Sequence, residues 1–384
     1  MVIQFLWKLL WGNQSKSRRR SSRSSGSILR WFTPGISITG VIGLVIAALT
    51  GQVDLPSLDT LRGSEAPVYD DPLAASLTPE QMASRGYAGK APIGEIAPVS
   101  LTTPASATSR KPDASIRVAT FNIQVFGKSK SEKPEVMRRL AQVCMLFDVV
   151  AVQEIKGDPK LPINGLLDEI ASLGGRYNAT VSEPQGRTSQ TERYGFVWDT
   201  DRIDLIPESD YLVSDEMDRM HRAPMVASFQ TRVTPTPTRM PFRFTLINVH
   251  TDPDEVGSRV GDTPKNEMNV LDDVFHSVRM FEYQNKGEED FVLMGDLNVE
   301  TQWLLETGRI PNIQSLVGDQ PTNTLQTKTY DHLLIDTATT REFTGRAGVL
   351  NLKSTLQISE EDALKVSDHM PVWAEFSVFE LPPR

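Results

Sequence analysis

Residues 291–300 read FVLMGDLNVE, and the chain is organised around them. Four apolar residues form a buried strand that stops at Gly295, where the backbone is free to approach a neighbour closely. Asp296 and Asn298 follow two residues apart, a spacing that sends both side chains to one side of the strand end. A carboxylate and an amide oxygen are hard donors suited to Mg²⁺, Mn²⁺ or Ca²⁺. On its own the stretch reads equally as a strand closed by an Asx turn.

The pattern recurs. Asn122 follows an apolar run at 119–121, Glu154 follows 149–153, and His250 follows 246–249. Asp331 and His332 interrupt the run at 330–335, and Asp368 and His369 precede Met370, Pro371 and Val372. Each case alone has a plain explanation, because strands end in turns and turns favour Asn and Asp. With Asp296 and Asn298 there are six such places in one stretch of chain. Gathered at one end of a sheet they supply hard oxygen ligands and imidazoles, the set that metal-assisted hydrolysis of a phosphate ester requires.

Around these runs the chain of 384 residues divides by texture. Residues 1–34 are basic and Ser-rich and read as a cytoplasmic tail. Residues 35–51 contain the uncharged run ISITGVIGLVIAALTG. It is a short candidate for a membrane anchor, with a cleaved signal segment and a buried core helix as competing readings. The basic residues before it place the N-terminus in the cytoplasm, and so place the rest outside: tethered if the segment is retained, secreted if it is cleaved. Residues 52–114 are rich in Pro, Ala, Ser and Thr and read as a disordered linker. Residues 115–380 alternate strands with a few helices, which predicts an α/β fold of two packed sheets flanked by helices. Helices are expected at 134–147, at about 163–173 and near 266–281. Net charge is −9, so bulk electrostatics do not make this a nucleic-acid binder, although bound divalent ions offset clustered carboxylates. The single cysteine, Cys144, excludes an intrachain disulfide and reads as a buried core thiol.

The stretches FNIQVFG, VVAVQEI, INVHT, MGDLNVE, TYDHLLI and VSDHMPV, in that order, resemble the endonuclease/exonuclease/phosphatase superfamily. The resemblance covers about residues 115–379 and implies a four-layer α/β sandwich, two mostly antiparallel β-sheets flanked by helices. VSEPQGRTSQTERYGFVWD at 181–199, FNIQVFGKSK at 121–130 and Arg222 before Ala223 are similar to the deoxyribonuclease I branch. That branch implies His250 paired with Glu192, and His369 paired with Asp331, as acid–base machinery. It implies Glu154, Asp368, Asn122 and Asp296 as holders of Mg²⁺ (Mn²⁺ or Ca²⁺ as substitutes), with Asn298, Arg222 and Lys156 on the substrate phosphate. It implies a nucleic-acid substrate, DNA first. Three positions depart from the branch: Lys156 and Gln124 stand where arginines contact DNA, and Gln190 stands where a tyrosine stacks on sugar. The alternatives are a phospholipid or phosphoinositide phosphoesterase, and a non-catalytic nucleic-acid-binding module.

Overall fold

A computed structural model describes residues 111–187, 191–253 and 261–381. The basic tail, the apolar segment at 35–51 and the linker up to 110 lie outside the described residues, as does Gln190. Among the described residues no helix is long and apolar enough to cross a membrane.

In chain order the strands are β1 (Ser115–Phe126), β2 (Val149–Ile155), β3 (Tyr177–Val181), β4 (Arg193–Asp199), β5 (Ile203–Leu205), β6 (Tyr211–Leu212) and β7 (Met225–Thr231). Then come β8 (Arg243–His250), β9 (Phe291–Asp296), β10 (Ile313–Ser315), β11 (Asp331–Asp336), β12 (Phe343–Val349) and β13 (Val372–Ser377). The helices are α1 (Lys128–Ser131), α2 (Pro134–Cys144), α3 (Lys160–Ser172), α4 (Leu271–Lys286), α5 (Leu352–Leu356) and α6 (Glu360–Val366).

The strands form two sheets. One runs β12-β13-β1-β2-β4-β3, the other β10-β11-β9-β8-β7-β5 with β6 added on β7. Both are mixed and mostly antiparallel, with one parallel pair each: β1 with β2, and β8 with β9. A parallel pair needs a crossover, and α2 and α4 supply them. Pro134 opens α2, where its missing N–H costs nothing, and Gly287 closes α4 at φ 68°.

The alternation read in the strands corresponds to two buried faces. Inward residues of both sheets, such as Val118, Phe196, Phe229, Phe244, Met294 and Phe376, form one core between the sheets. Phe229 stacks on Phe244, and Phe242 on Phe376. The outer face of the first sheet packs under α2, α3 and α6, and that of the second under α4. Each such side chain stabilises by roughly 1.5–3 kcal/mol, against about 0–1 kcal/mol for an exposed ion pair, so these layers hold the sandwich.

Packing starts slightly before the boundary expected at 115. Lys111 Nζ lies 2.6 Å from Asp199 and 3.3 Å from the buried Asp148. β12, α5 and α6 were not expected from sequence. FTGRAGV has two glycines in an edge strand, and α6 is a short helix capped by the Ser359 hydroxyl on the Asp362 N–H.

Candidate active site

Register explains why the strand-end residues meet. In the second sheet His250 lies opposite Asp296 in the parallel β8–β9 pair, and Asp296 lies opposite Asp331 in the antiparallel β9–β11 pair. Three strands therefore place His250, Asp296 and Asp331 in one row, because β11 starts where β8 and β9 end. Gly295 allows that row to close. It sits at φ 149°, and a Cβ there would collide with the Val249 carbonyl oxygen on β8.

The first sheet brings the rest. Asn122 does not end β1 as its sequence suggests. The strand continues to Phe126 through a shift in register against β2. At that bulge Val125 takes φ 47° and Glu154, across on β2, takes φ 62°. Backbone strain of this kind in non-glycine residues clusters at functional sites. Its effect here is concrete: the Val125 N–H donates to Glu154 Oε2 at 2.9 Å. Asn122 Nδ2 donates to both Glu154 Oε1 and Asp296 Oδ2, at 3.1 and 2.9 Å, and so ties the two sheets.

Each histidine has its own carboxylate. His250 Nδ1 lies 2.6 Å from Glu192 Oε1, and His369 Nδ1 lies 2.8 Å from Asp331 Oδ2. Both Nε2 atoms stand 3.6 Å from Asp296 Oδ2. Burial alone would lower the pKa of His250. The hydrogen bond to Glu192 and the charge on Asp296 overcome it, and the net shift is upward. For His369 burial is likewise outweighed by Asp331 and Asp296, which hold it well above the ordinary value. Burial and the charge on Asp296 also raise the Asp331 carboxyl, while its hydrogen bonds to His369 and Thr322 oppose that shift. Asp296 itself is held low despite burial, chiefly by the two histidines.

Arg222 and Lys156, expected on the substrate, both engage Glu192. Arg222 Nε is 2.9 Å from Oε1, and Lys156 Nζ is 3.0 Å from Oε2. Burial would raise the Glu192 carboxyl, but its hydrogen bond to His250 and the three surrounding cations bring it down to about 2. Asn298 spends its amide N–H on the Thr251 carbonyl and donates its backbone N–H to Asp296 Oδ1. Gln124 donates to Asp368 Oδ2 at 2.8 Å.

Several supporting residues were not read from sequence. The Ser367 hydroxyl donates to the Asn122 carbonyl and accepts from the Gln124 and His369 backbone N–H groups. The Thr322 hydroxyl donates to Asp331 Oδ2 at 2.7 Å. Lys130 is buried, donates to the Val366 carbonyl, and feels Asp368 and Glu154; burial lowers its pKa to about 8. A serine immediately before Asp368-His369 was the available signal for Ser367; nothing local marks Thr322.

The donor set fits a hard cation. Asn122 Oδ1 and Asp368 Oδ1 are shielded acceptor oxygens with no donor partner. Beside them Glu154 adds a carboxylate already oriented by Asn122 and Val125. The ligand atoms of Asp296, Asp331 and His369 also lie within 4.8 Å of one another, but Asp331 and His369 are already joined by their own hydrogen bond.

A family model described as Endonuclease/Exonuclease/phosphatase family matches residues 119–369. The chain belongs to that family. The curated proteins it is similar to include several named as deoxyribonucleases. The chain is 28% identical over 275 residues to Deoxyribonuclease-1-like 1 of Chlorocebus aethiops, covering 68% of this chain and 84% of the relative. It is 26% identical to Deoxyribonuclease-1 of Sus scrofa, covering 67% and 90%. Among solved structures it is similar to a family protein from Bacteroides thetaiotaomicron, with TM-score 0.46 and 18% identity over 70% of this chain and 98% of that one. The family match spans both sheets and runs from β1 to His369, so it embraces each of the side chains described above. These endonuclease/exonuclease/phosphatase sheets thus carry two histidine–carboxylate pairs around one shared aspartate.

Proposed function

We propose that this chain is a divalent-metal-dependent endonuclease of the deoxyribonuclease I type that hydrolyses DNA phosphodiester bonds. The observation that carries the reading is the pair of imidazoles, each oriented by its own carboxylate, on either side of Asp296. Water adds to phosphorus in line with the leaving oxygen, and the P–O bond to that oxygen breaks. One imidazole takes the proton of the water and the other delivers a proton to the leaving oxygen. Glu192 and Asp331 fix the Nδ1 side of each ring, so that Nε2 faces the reacting atoms. Glu154, Asp368 and Asn122, with Asp296 beside them, would hold Mg²⁺ (or Mn²⁺ or Ca²⁺), which would supply positive charge to the phosphate oxygens. Asn298 completes the phosphate pocket. Lys156 and Arg222 act first on Glu192 and contribute positive potential to the phosphate from there.

The names of the relatives support DNA as the substrate. Lys156 and Gln124 are engaged with carboxylates, which weakens the expectation of tight duplex binding. The test offers the full chain supercoiled plasmid, single-stranded DNA, RNA and phospholipid vesicles, with Mg²⁺ or Mn²⁺. Plasmid nicking that disappears in His250→Ala and His369→Ala supports the reading. Release of a phosphorylated head group with no nucleic-acid cleavage replaces it with a phospholipid phosphoesterase. Tight DNA binding without turnover in any metal replaces it with a binding module.

We also propose that residues 35–51 tether a catalytic domain, spanning about 115–380, on the outer side of a membrane. The uncharged run behind a basic leader supports this. Protease added outside intact spheroplasts should release the catalytic domain; full protection refutes the orientation.

A further inference from the structure

Four strand ends from both sheets meet at the pole opposite the catalytic residues. β9 ends at Asp296, so Asp290, just before its first residue, lies about 20 Å away along the strand. Glu342 immediately precedes β12, and Glu380 follows β13. Arg243 starts β8, whose far end is His250. β8 and β9 belong to one sheet, β12 and β13 to the other.

The ligand oxygens of Asp290, Glu342 and Glu380 lie within 4.8 Å of one another. Asp290 is 7% exposed and Glu342 is 3% exposed. Asp290 Oδ1 and Glu342 Oε2 are shut off from solvent and accept no hydrogen bond. The other pairings are to backbone: Glu342 Oε1 accepts from the Leu381 N–H at 2.6 Å, and Glu380 Oε1 from the Arg243 N–H at 2.8 Å. The Arg243 guanidinium is 3.2 Å from Glu288 and balances that fourth carboxylate.

A buried carboxylate oxygen without a partner is costly, and two of them, Asp290 Oδ1 and Glu342 Oε2, stand here beside the half-buried Glu380 carboxylate. We infer that Asp290, Glu342 and Glu380 form a second, structural site for a hard divalent cation, Ca²⁺ by its all-oxygen donors, which clasps the two sheets at the pole remote from catalysis. Ca²⁺ accepts six to eight oxygens, mono- or bidentate, in flexible geometry. Burial pushes the Glu380 carboxyl up to about 7, and burial, the charges of Glu342, Glu288 and Glu380 and a side-chain hydrogen bond with Glu342 raise Asp290 well above its ordinary value. The group's own surroundings therefore leave its charge unbalanced. The inference does not depend on the proposed reaction.

The test titrates Ca²⁺ by calorimetry into the metal-free full chain, as wild type, Glu154→Gln, Glu342→Gln and Asp290→Asn. Glu154→Gln should keep a binding event that both Glu342→Gln and Asp290→Asn lose. Saturating Ca²⁺ should raise the unfolding midpoint of wild type and Glu154→Gln by at least about 3 °C more than that of the other two, which keep only the catalytic cation site. Both of those variants replace a buried charge by an amide, so at pH 8 without metal they should melt no lower than wild type. Full Ca²⁺ binding and stabilisation in Glu342→Gln and Asp290→Asn overturns the site. Absence of any Ca²⁺ effect on wild type also overturns it, and assigns the cluster to a shared proton instead.

Discussion

His250 and His369 present their Nε2 atoms to the same oxygen, Asp296 Oδ2, each from 3.6 Å. His250 ends β8 and His369 lies between α6 and β13, and the aspartate between them is buried and charged. Two imidazoles thus meet at one carboxylate, His250 and Asp296 aligned by sheet register and His369 carried by the segment that leads into β13.

In the proposed reaction, removing either imidazole removes one proton transfer. His250→Ala and His369→Ala should each lower the single-turnover nicking rate by about 10²–10⁴-fold, with the double variant losing far less than the product. Glu192→Gln and Asp331→Asn leave the rings in place but mis-set their tautomers. They should lower the rate and also change its pH profile. Unchanged rates and profiles in the carboxylate variants would remove the orienting role.

Asn122→Ala deletes the amide that holds Glu154 and Asp296 together. Loss of such an orienting hydrogen bond should weaken the divalent-ion affinity by about 10–100-fold. The concentration of Mg²⁺ at half-maximal activity reads this directly.

Glu192 has a pKa of about 2 in the folded chain, below the ordinary glutamate value of 4.5. A depressed carboxylate stabilises the fold above its unfolded pKa, and that contribution disappears as pH falls from about 4.5 toward 2. Its size is on the order of 2–3 kcal/mol. Acid titrations of stability should show a shallower decline in Glu192→Gln than in wild type, together with lower stability at pH 7. Parallel curves would exclude the linkage.

Gly295→Ala should destabilise the domain by at least about 3 kcal/mol, because the new Cβ meets the Val249 backbone and the φ of 149° disfavours any side chain. Asn298→Gly tests the neighbouring strained position at φ 54° without a clash. It should fold normally while losing the hold on Thr251. A thermal melt separates the two outcomes.

Much of the site's membership was legible in sequence, since apolar runs and the polar residues that end them are local. FVLM stops at Gly295 because a side chain cannot enter there, and Asp296 follows. The Glu192 and Asp331 partners came from the family resemblance, and the structure puts both on the expected imidazoles. β12 and α6 were not legible: one is a glycine-containing edge strand, the other only seven residues long.

What the sequence by itself determined was which strands are buried and which side chains stand at their ends, because period-two burial and turn chemistry act over a few residues. The tertiary structure alone decided which ends share a pole. Parallel pairing of β8 with β9, and antiparallel pairing of β9 with β11, align His250, Asp296 and Asp331 across 82 positions of sequence from 250 to 331. It decided that Arg222 and Lys156 turn to Glu192, and that Asn122 lies inside a bulged strand rather than at its end. It also decided that Asp290, Glu342 and Glu380, unremarked in sequence, converge. Such contacts depend on register and on the packing of one sheet over the other, and no local pattern encodes either.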